Sequence, residues 1–323
     1  MIRGRFAPTP SGMMHLGNAK IALLSWLQIR SGNGVYVLRI EDIDIQRSRP
    51  ELVQTIMEDL RWLGLNWDEG PEAGGPFGPY TQSERLELYE AALQQLDRQE
   101  RLYPCYCSRA ELLQIAGAPH GLASEGPVYP GTCRRLTREE QASREQHKAP
   151  STRFAFRDER YDFEDGIAGY QQFPPASGGD FIVKRADGMF SYQLAVTVDD
   201  AAMGITHVLR GSDLLDSTPR QLALYEAFGW SPPEFAHAPL LLGEDGRRLA
   251  KRHGDLSLAG LRRSGIPAER IIGWLAFISG LMDRPEPVKA SELISGFALD
   301  RIARQPFTLT SEMIERLTAD KHY

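Results

Sequence analysis

The stretch from Arg5 to Asn18 constrains the fold most strongly, because it places a strand, a loop rich in glycine and proline, and a helix in direct succession. Residues 4–7 predict the strand, and the loop glycines let the backbone approach a ligand closely. We predict Asn18 as the N-cap of a helix that runs to Ser31. The start of such a helix presents backbone N–H groups to the loop. The stretch therefore predicts a nucleotide phosphate site, although a lone histidine such as His15 is also typical of an ordinary polar turn.

The composition limits the classes of protein to consider. With 323 residues, 42% hydrophobic and 25% charged, the chain is typical of a soluble globular protein with one sizeable domain and one or two smaller ones. No apolar run approaches the roughly 18–20 residues of a membrane span, and no signal peptide precedes the first strand, so we expect a cytoplasmic protein without a membrane partner. A net charge of −6 argues against nonspecific nucleic-acid binding but leaves a local basic face possible.

The order of elements predicts an α/β protein with a doubly wound, Rossmann-like sheet whose site lies at the carboxyl ends of its strands. Further strands or strand-like pieces are predicted at 35–40 and 152–156, and helices at 50–63, 83–101, 219–228, 270–281 and 310–317. We divide the chain into a first half of the nucleotide-binding fold at 1–101, an irregular insertion at 102–185, a second half at 186–256 and a small helical region at 257–323.

Three carboxylates, Glu41, Asp42 and Asp44, follow the second predicted strand. Acids at the end of a buried strand could bind an amine or a metal. They could equally cap the next helix and pair with Arg47 and Arg49. The spacing alone leaves both interpretations open.

A second charged segment, Arg248-Leu249-Ala250-Lys251-Arg252, follows the apolar residues 239–242. A basic run between a strand and a helix is usually a solvated hairpin. The sequence by itself gives only a weak indication of phosphate binding here.

The three cysteines indicate a metal site better than a disulfide framework, because their number is odd and the chain has no secretory features. Cys105 and Cys107 form one pair, and Cys133 lies near Tyr129 in a segment rich in glycine and proline. Zinc is commonly held by such clustered thiolates. Tyr129 and His120 are alternatives for the fourth ligand, and packing of free thiols is the competing interpretation.

Taken in order, these motifs resemble the signatures of class I aminoacyl-tRNA synthetases in the form that the glutamyl branch uses. His15-Leu16-Gly17-Asn18 is similar to the first signature, HIGH, with Asn18 in the last position. The segment from Arg248 to Arg252 is similar to a divergent second signature, KMSKS, with Ala250 in place of a serine. The resemblance extends from Arg5 to at least Asp255.

The resemblance implies roles for individual residues. It implies catalytic roles for His15 and Lys251, which stabilise the phosphates. The residues implied to bind ATP, with Mg²⁺, are Pro8, His15, Gly17, Asn18, Arg248, Leu249 and Lys251. Those implied to bind L-glutamate are Arg5, Ala7, Thr9, Ser11, Glu41, Tyr192 and Arg210.

Selectivity for glutamate requires a cation, and a bidentate arginine matches a carboxylate best. Arg5 and Arg210 are the candidates, since each lies on or beside a strand in a separate half of the fold. Their alternative role is a surface or interdomain ion pair.

The cysteine pattern and the chain length are most similar to the glutamyl-Q tRNA(Asp) synthetases. That resemblance implies a structural zinc on Cys105, Cys107, Tyr129 and Cys133. Little chain follows Asp255, so we expect no anticodon-binding domain of the kind found in ordinary glutamyl-tRNA synthetases.

The implied reaction is activation of glutamate without tRNA and its transfer to queuosine in the anticodon stem-loop of tRNA(Asp), by a protein that we expect to be monomeric. The alternatives are a truncated glutamyl- or glutaminyl-tRNA synthetase that charges a 3′ end, and a noncatalytic regulator that binds a nucleotide or tRNA.

Overall fold

The computed structural model describes residues 1–108, 111, 128–157, 159–174, 178–247, 249 and 256–319. Its centre is a parallel sheet of four strands, β1 (Arg3–Phe6), β2 (Val35–Leu38), β8 (His207–Gly211) and β9 (Glu234–Ala238), in the order β2-β1-β8-β9. These strands are mostly buried and rich in apolar residues, as is typical of a parallel sheet covered on both faces.

The structure contains nine α-helices and four 3-10 helices among the residues described. They are α1 (Leu16–Ser31), α2 (Pro50–Trp62), α3 (Leu86–Arg98), α4 (Arg138–Glu145), α5 (Tyr192–Ala202), α6 (Thr218–Phe228), α7 (Leu258–Arg263), α8 (Ala268–Ile278) and α9 (Ser311–Ala319), with 3-10 helices at Gln82–Glu84, Ser212–Ser217, Ala290–Gly296 and Leu299–Arg301. Among the residues described, no helix has both the length and the apolar character that crossing a membrane requires.

The strand order creates a crevice between β1 and β8. The chain passes from β1 to β2 on one side and later returns to β8 on the other side of β1. In an open α/β sheet, ligands bind outside the carboxyl ends of the strands where the strand order reverses in this way. The topology therefore places a binding crevice next to the first loop of the chain.

The predicted insertion contains two small antiparallel sheets. One is formed by β3 (Leu102–Cys105), β4 (Ser151–Phe154) and β7 (Phe181–Lys184), and the other is a hairpin of β5 (Tyr161–Asp165) and β6 (Gly169–Phe173). The hairpin contacts the main sheet, because Gly166 N–H donates to the Phe235 carbonyl at 2.9 Å.

The C-terminal region packs on the catalytic fold. Its residues share one apolar cluster with α1, and they add a strand, β11 (Phe307–Leu309), that pairs with β10 (Leu241–Gly243). This strand was not expected in a region predicted to be helical. The predicted boundaries stay a prediction, and the structure shows contacts across them.

The start of α1 corrects the predicted N-cap. The helix begins at Leu16, and His15 rather than Asn18 is the N-cap residue. The His15 ring accepts the Gly17 N–H at Nδ1 (3.0 Å), and Asn18 Oδ1 accepts the His15 N–H at 3.2 Å. Gly17 permits this approach, since a Cβ there would lie 2.8 Å from the His15 ring.

Candidate active site

A cavity of about 520 Å³ opens at the carboxyl ends of β1 and β8. Residues from the first loop, α1, the start of α5 and the segments after β8 and β9 form its walls. They are Arg5, Phe6, Ala7, Pro8, Thr9, Ser11, His15, Gly17, Asn18, Lys20, Ile21, Glu41, Tyr192, Leu209, Arg210, Gly211, Asp213, Leu214, Pro239, Leu240, Leu241 and Leu249.

The fold brings together most of the residues that the sequence singled out. All seven residues expected to bind glutamate line this cavity, as do Pro8, His15, Gly17, Asn18 and Leu249 from the expected ATP site. Arg248, Ala250, Lys251 and His120 lie outside the described residues. The roles of these residues stay predictions.

Arg5 is paired with a carboxylate in the interior. It is 4% exposed, and its Nε and Nη2 donate to the two oxygens of Asp200 at 3.2 and 3.4 Å. Burial, the largest single effect, would lower the pKa of Arg5, but Asp200, Glu41 and Tyr192 together outweigh burial and raise the pKa. The positive charge of Arg5 is thus largely compensated by the protein.

Asp200 belongs to a wider buried network of charges. Arg39 donates to Asp200 at 2.7 Å and to Glu41 at 3.0 Å, and Arg85 donates to Asp199 at 2.6 Å. The network joins the end of β2 and the 3-10 helix Gln82–Glu84 to α5. Buried charges of this kind require such partners, because an isolated ion in the interior is costly.

Arg210 has a different environment, although it is also 4% exposed. Its Nε donates to His237 Nε2 at 2.9 Å and its Nη1 to Gln221 Oε1 at 2.8 Å. Its Nη2 donates to Thr218 Oγ1 at 2.9 Å and to the Leu214 carbonyl at 3.3 Å. Within the described part of the chain, none of these acceptors is a carboxylate, and burial lowers the pKa of Arg210. Arg210 therefore presents an undercompensated cation to the cavity.

The three acids that follow β2 separate into different roles. Glu41 lines the cavity, and burial raises the pKa of its carboxyl. Asp42 accepts from the Ser83 N–H at 2.8 Å and from its hydroxyl at 2.7 Å. Asp44 lies 3.8 Å from Arg185. Of the three, Glu41 alone lines the cavity. The side-chain contacts of Asp42 and Asp44 are with Ser83 and Arg185 and not, among the described residues, with the next helix or with the expected partners Arg47 and Arg49.

The cavity is also lined by groups of the kind that can bind phosphate. The first turn of α1 faces it, and Lys20 from that helix donates Nζ to the Pro239 carbonyl at 2.8 Å. Burial lowers the pKa of Lys20 to about 8. Because the His15 ring accepts at Nδ1, its neutral form carries the proton on Nε2.

A second cluster lies in the insertion, away from the cavity. The Sγ atoms of Cys105, Cys107 and Cys133 all lie within 4.8 Å of one another. Tyr129 OH is 3.5 Å from Cys105 Sγ and 3.6 Å from Cys107 Sγ. The fold thus collects the four residues that the sequence predicted as metal ligands.

The chain matches the family described as "tRNA synthetases class I (E and Q), catalytic domain" over residues 1–314. It belongs to this family. The expected α/β class I synthetase fold is thereby confirmed, and the family consists of ligases that use ATP, an amino acid and tRNA.

Relatives and solved structures agree with this membership. A "Glutamyl-Q tRNA(Asp) synthetase" of Symbiobacterium thermophilum is 62% identical over 98% of this chain and 99% of its own length. One of Nitratidesulfovibrio vulgaris is 48% identical over 98% of both chains. A "Glutamate--tRNA ligase" of Sulfurihydrogenibium is 43% identical over 95% of this chain and 64% of its own. The crystal structure of glutamate-tRNA synthetase from Elizabethkingia anophelis superimposes with a TM-score of 0.84 at 32% identity, covering 98% of this chain and 69% of that one.

Sequence reasoning missed several residues of this synthetase site. Lys20 and Asp213 line the cavity, while Arg39, Asp199 and Asp200 form the ionic network behind it. A signal was present, because an arginine at the end of an apolar strand and two successive acids in an apolar helix are unusual where side chains are buried. His237 gave no signal, since its contacts come from distant segments.

Proposed function

We propose that this chain activates L-glutamate with ATP in the absence of tRNA and transfers it to the queuosine base at the wobble position of tRNA(Asp). The observation that carries glutamate as the substrate is Arg210, a buried cation with neutral partners that lines the cavity next to the start of α1. A ligand carboxylate would complete its coordination with charge-assisted hydrogen bonds.

The geometry supports one orientation of the substrates. Glutamate would place its side-chain carboxylate at Arg210 and its ammonium group near Glu41 and Tyr192. ATP, with Mg²⁺, would place its phosphates at His15 and the first turn of α1, where backbone N–H groups favour anions. Lys251 is proposed to stabilise the same phosphates.

The proposed chemistry requires no protein nucleophile. The α-carboxylate of glutamate attacks the α-phosphorus of ATP, and pyrophosphate leaves. A hydroxyl of queuosine then attacks the carbonyl carbon of the mixed anhydride, and AMP leaves. Catalysis would therefore come from positioning and from stabilisation of the charge that develops on the phosphoryl oxygens.

The acceptor is supported by the relatives. Two full-length relatives at 62% and 48% identity carry the name glutamyl-Q tRNA(Asp) synthetase, whereas the glutamate–tRNA ligase named above is 43% identical. The similarity to the glutamate–tRNA ligase supports a second candidate function, that of a glutamyl-tRNA synthetase that charges a 3′ end. The two functions differ in where glutamate is attached.

Two assays test this proposal. Purified protein should catalyse glutamate-dependent exchange of pyrophosphate into ATP without tRNA, and exchange that requires tRNA would favour the second candidate. An anticodon stem-loop fragment of tRNA(Asp), which has no acceptor end, should then be glutamylated when it carries queuosine and not when it carries guanosine. Charging of intact tRNA but of neither fragment would overturn the proposed acceptor.

Monomeric behaviour stays a prediction that sedimentation can check.

We also propose that the cysteine cluster holds one zinc ion. A tetrahedral ion with Zn–S bonds of about 2.3 Å separates its sulfurs by about 3.8 Å. Cys107 Sγ and Cys133 Sγ are 3.6 Å apart, and Tyr129 OH approaches two of the three sulfurs at similar distances. The donor set therefore fits zinc, which would tie β3 to the segment at residues 128–133.

Metal analysis of the purified protein tests this site. We expect about one zinc per chain, and we expect Cys107→Ser to release it while glutamate-dependent exchange persists. Protein without metal both as isolated and after reconstitution with zinc would contradict the assignment.

A further inference from the structure

Behind Arg210 lies a pair of buried residues that no predicted motif contains. Asp165 ends β5 and His237 lies on β9, and both are at most 2% exposed. His237 is the register partner of Arg210 across the two parallel strands β8 and β9. The side chains therefore follow one another from the hairpin to the cavity wall in the order Asp165, His237, Arg210.

The hydrogen bonds of this row fix the protonation of the imidazole. An arginine can only donate, so His237 Nε2 must accept the Arg210 Nε–H at 2.9 Å. The ring proton then resides on Nδ1, which lies 2.5 Å from Asp165 Oδ2. Consistently, burial and the charge of Arg210 together outweigh the raising effect of Asp165 and lower the pKa of His237 to about 4, so the ring is neutral at physiological pH.

Asp165 is held rigidly. Its Oδ1 accepts the backbone N–H groups of Ile167 at 3.0 Å, Ala168 at 2.8 Å and His237 at 3.0 Å. The carboxylate thus joins the hairpin to the main sheet and, through one imidazole, to the guanidinium. A group hydrogen-bonded in this way orients the ring and makes its free nitrogen a better acceptor.

We propose that Asp165 and His237 are positioning residues for amino-acid selection, because they hold the guanidinium of Arg210 in the orientation that receives a side-chain carboxylate. The inference rests on the proposed function, since it concerns the glutamate that this function requires. Neither residue touches the substrate; both act through Arg210. A merely structural tie between the hairpin and the sheet would leave amino-acid selection unchanged.

Asp165→Asn separates these two roles. The amide oxygen of this variant can still accept the three backbone N–H groups, so the hairpin keeps its anchor. The amide nitrogen now donates to His237 Nδ1, so the ring proton moves to Nε2. The Nε2–H group then faces the Arg210 Nε–H, and two donors meet without an acceptor. The Michaelis constant for glutamate in pyrophosphate exchange should rise about 10- to 100-fold, as expected when a buried charged donor loses its acceptor. The constant for ATP should stay within about 2-fold, and the preference for glutamate over glutamine should fall.

Two further variants complete the design. In His237→Gln, the amide oxygen can accept from Arg210 while the amide N–H groups face Asp165, so most of the preference should be retained. His207→Gln is the matched control, because His207 lies on β8 at its other end, beside Glu234. It should leave both Michaelis constants unchanged.

The ring proton is measured directly by ¹⁵N NMR of histidine-labelled protein. Wild-type protein should show His237 protonated on Nδ1, and Asp165→Asn should show it protonated on Nε2. A wild-type ring protonated on Nε2, or an Asp165→Asn variant with unchanged use of glutamate and glutamine, would overturn the proposal. Wild-type protein without glutamate-dependent exchange would overturn the proposed function instead, and the NMR result would still decide the arrangement of the ring.

Discussion

The two arginines of the cavity, Arg5 and Arg210, lie on adjacent strands and are equally buried, yet their surroundings differ. Arg5 shares the carboxylate of Asp200 with Arg39. Arg210 donates hydrogen bonds to a histidine, a glutamine, a threonine and a backbone carbonyl. Arg5 is thus paired with an anion inside the protein, whereas Arg210 is the arginine that the proposed function assigns to the glutamate carboxylate.

The proposed function uses this difference to separate the stability of the fold from recognition of the ligand. A buried cation without an anionic partner is unfavourable in the free protein. Under the proposed function, a ligand carboxylate would relieve this cost when it binds, and binding would then be selective for an anion. Both residues are arginines, so the difference lies in their surroundings and not in the side chains themselves.

The largest effect on stability should come from removing the negative charge of Asp200, the carboxylate that pairs with Arg5. Asp200→Asn leaves two buried arginines short of a carboxylate, so the free energy of unfolding should fall by about 3–5 kcal/mol. Urea denaturation measures this loss. Asp68→Asn, which removes half of the more exposed pair with Arg30, should cost less than about 1 kcal/mol. Equal losses in the two variants would show that the interior network contributes no more than a surface pair.

Arg210→Gln should change the use of glutamate strongly and the stability of the fold to a smaller extent. Its Michaelis constant for glutamate in pyrophosphate exchange should rise on the order of 100-fold, and the gap between glutamate and glutamine should narrow. The free energy of unfolding should fall by less than in Asp200→Asn, because removal of a buried charge without an anion offsets part of the cost of the hydrogen bonds lost to His237, Gln221 and Thr218. Arg284→Gln, at an exposed pair with Glu286, is the control. A large loss of stability without a change in selectivity would reverse the assignment of the two arginines.

The smallest expected effect is the pH dependence of stability that comes from His237, the acceptor of Arg210. The pKa of His237 is lowered from its usual 6.5 to about 4 by burial and by the charge of Arg210, against the raising effects of Asp165 and Asp213. Between these values the unfolded chain binds the proton that the folded protein excludes, so the stability is full above pH 6.5 and falls as the pH drops toward 4. The NMR signals of His237 should stay constant from pH 8 to about 5.5. A midpoint near 6.5 in folded protein would show that the ring is not held neutral.

Much of the site was predictable from sequence because its parts are local. The loop between β1 and α1 combines a strand end, glycines and a helix start within a few residues, and that order is already typical of a phosphate site. Even there the cap differed: a histidine ring, accepting from a glycine N–H two residues on, replaced the expected Asn18.

The resemblance to the glutamyl synthetases supplied the pocket residues one by one, and the fold placed all seven around one cavity. Their individual environments could not be predicted in this way. Arg5 meets Asp200 across 195 positions of the chain, and His237 meets Asp165 across 72. No periodicity or motif reports such a contact.

The sequence by itself determined the class of fold, the location of the nucleotide loop, the identities of the candidate metal ligands and the family, because each depends on neighbouring residues or on ordered motifs. The tertiary structure decided which arginine is paired with a carboxylate and which has neutral hydrogen-bond acceptors. It did so because a buried charge is governed by the groups within a few ångströms of it, and the return of the chain from β2 to β8 selects those groups.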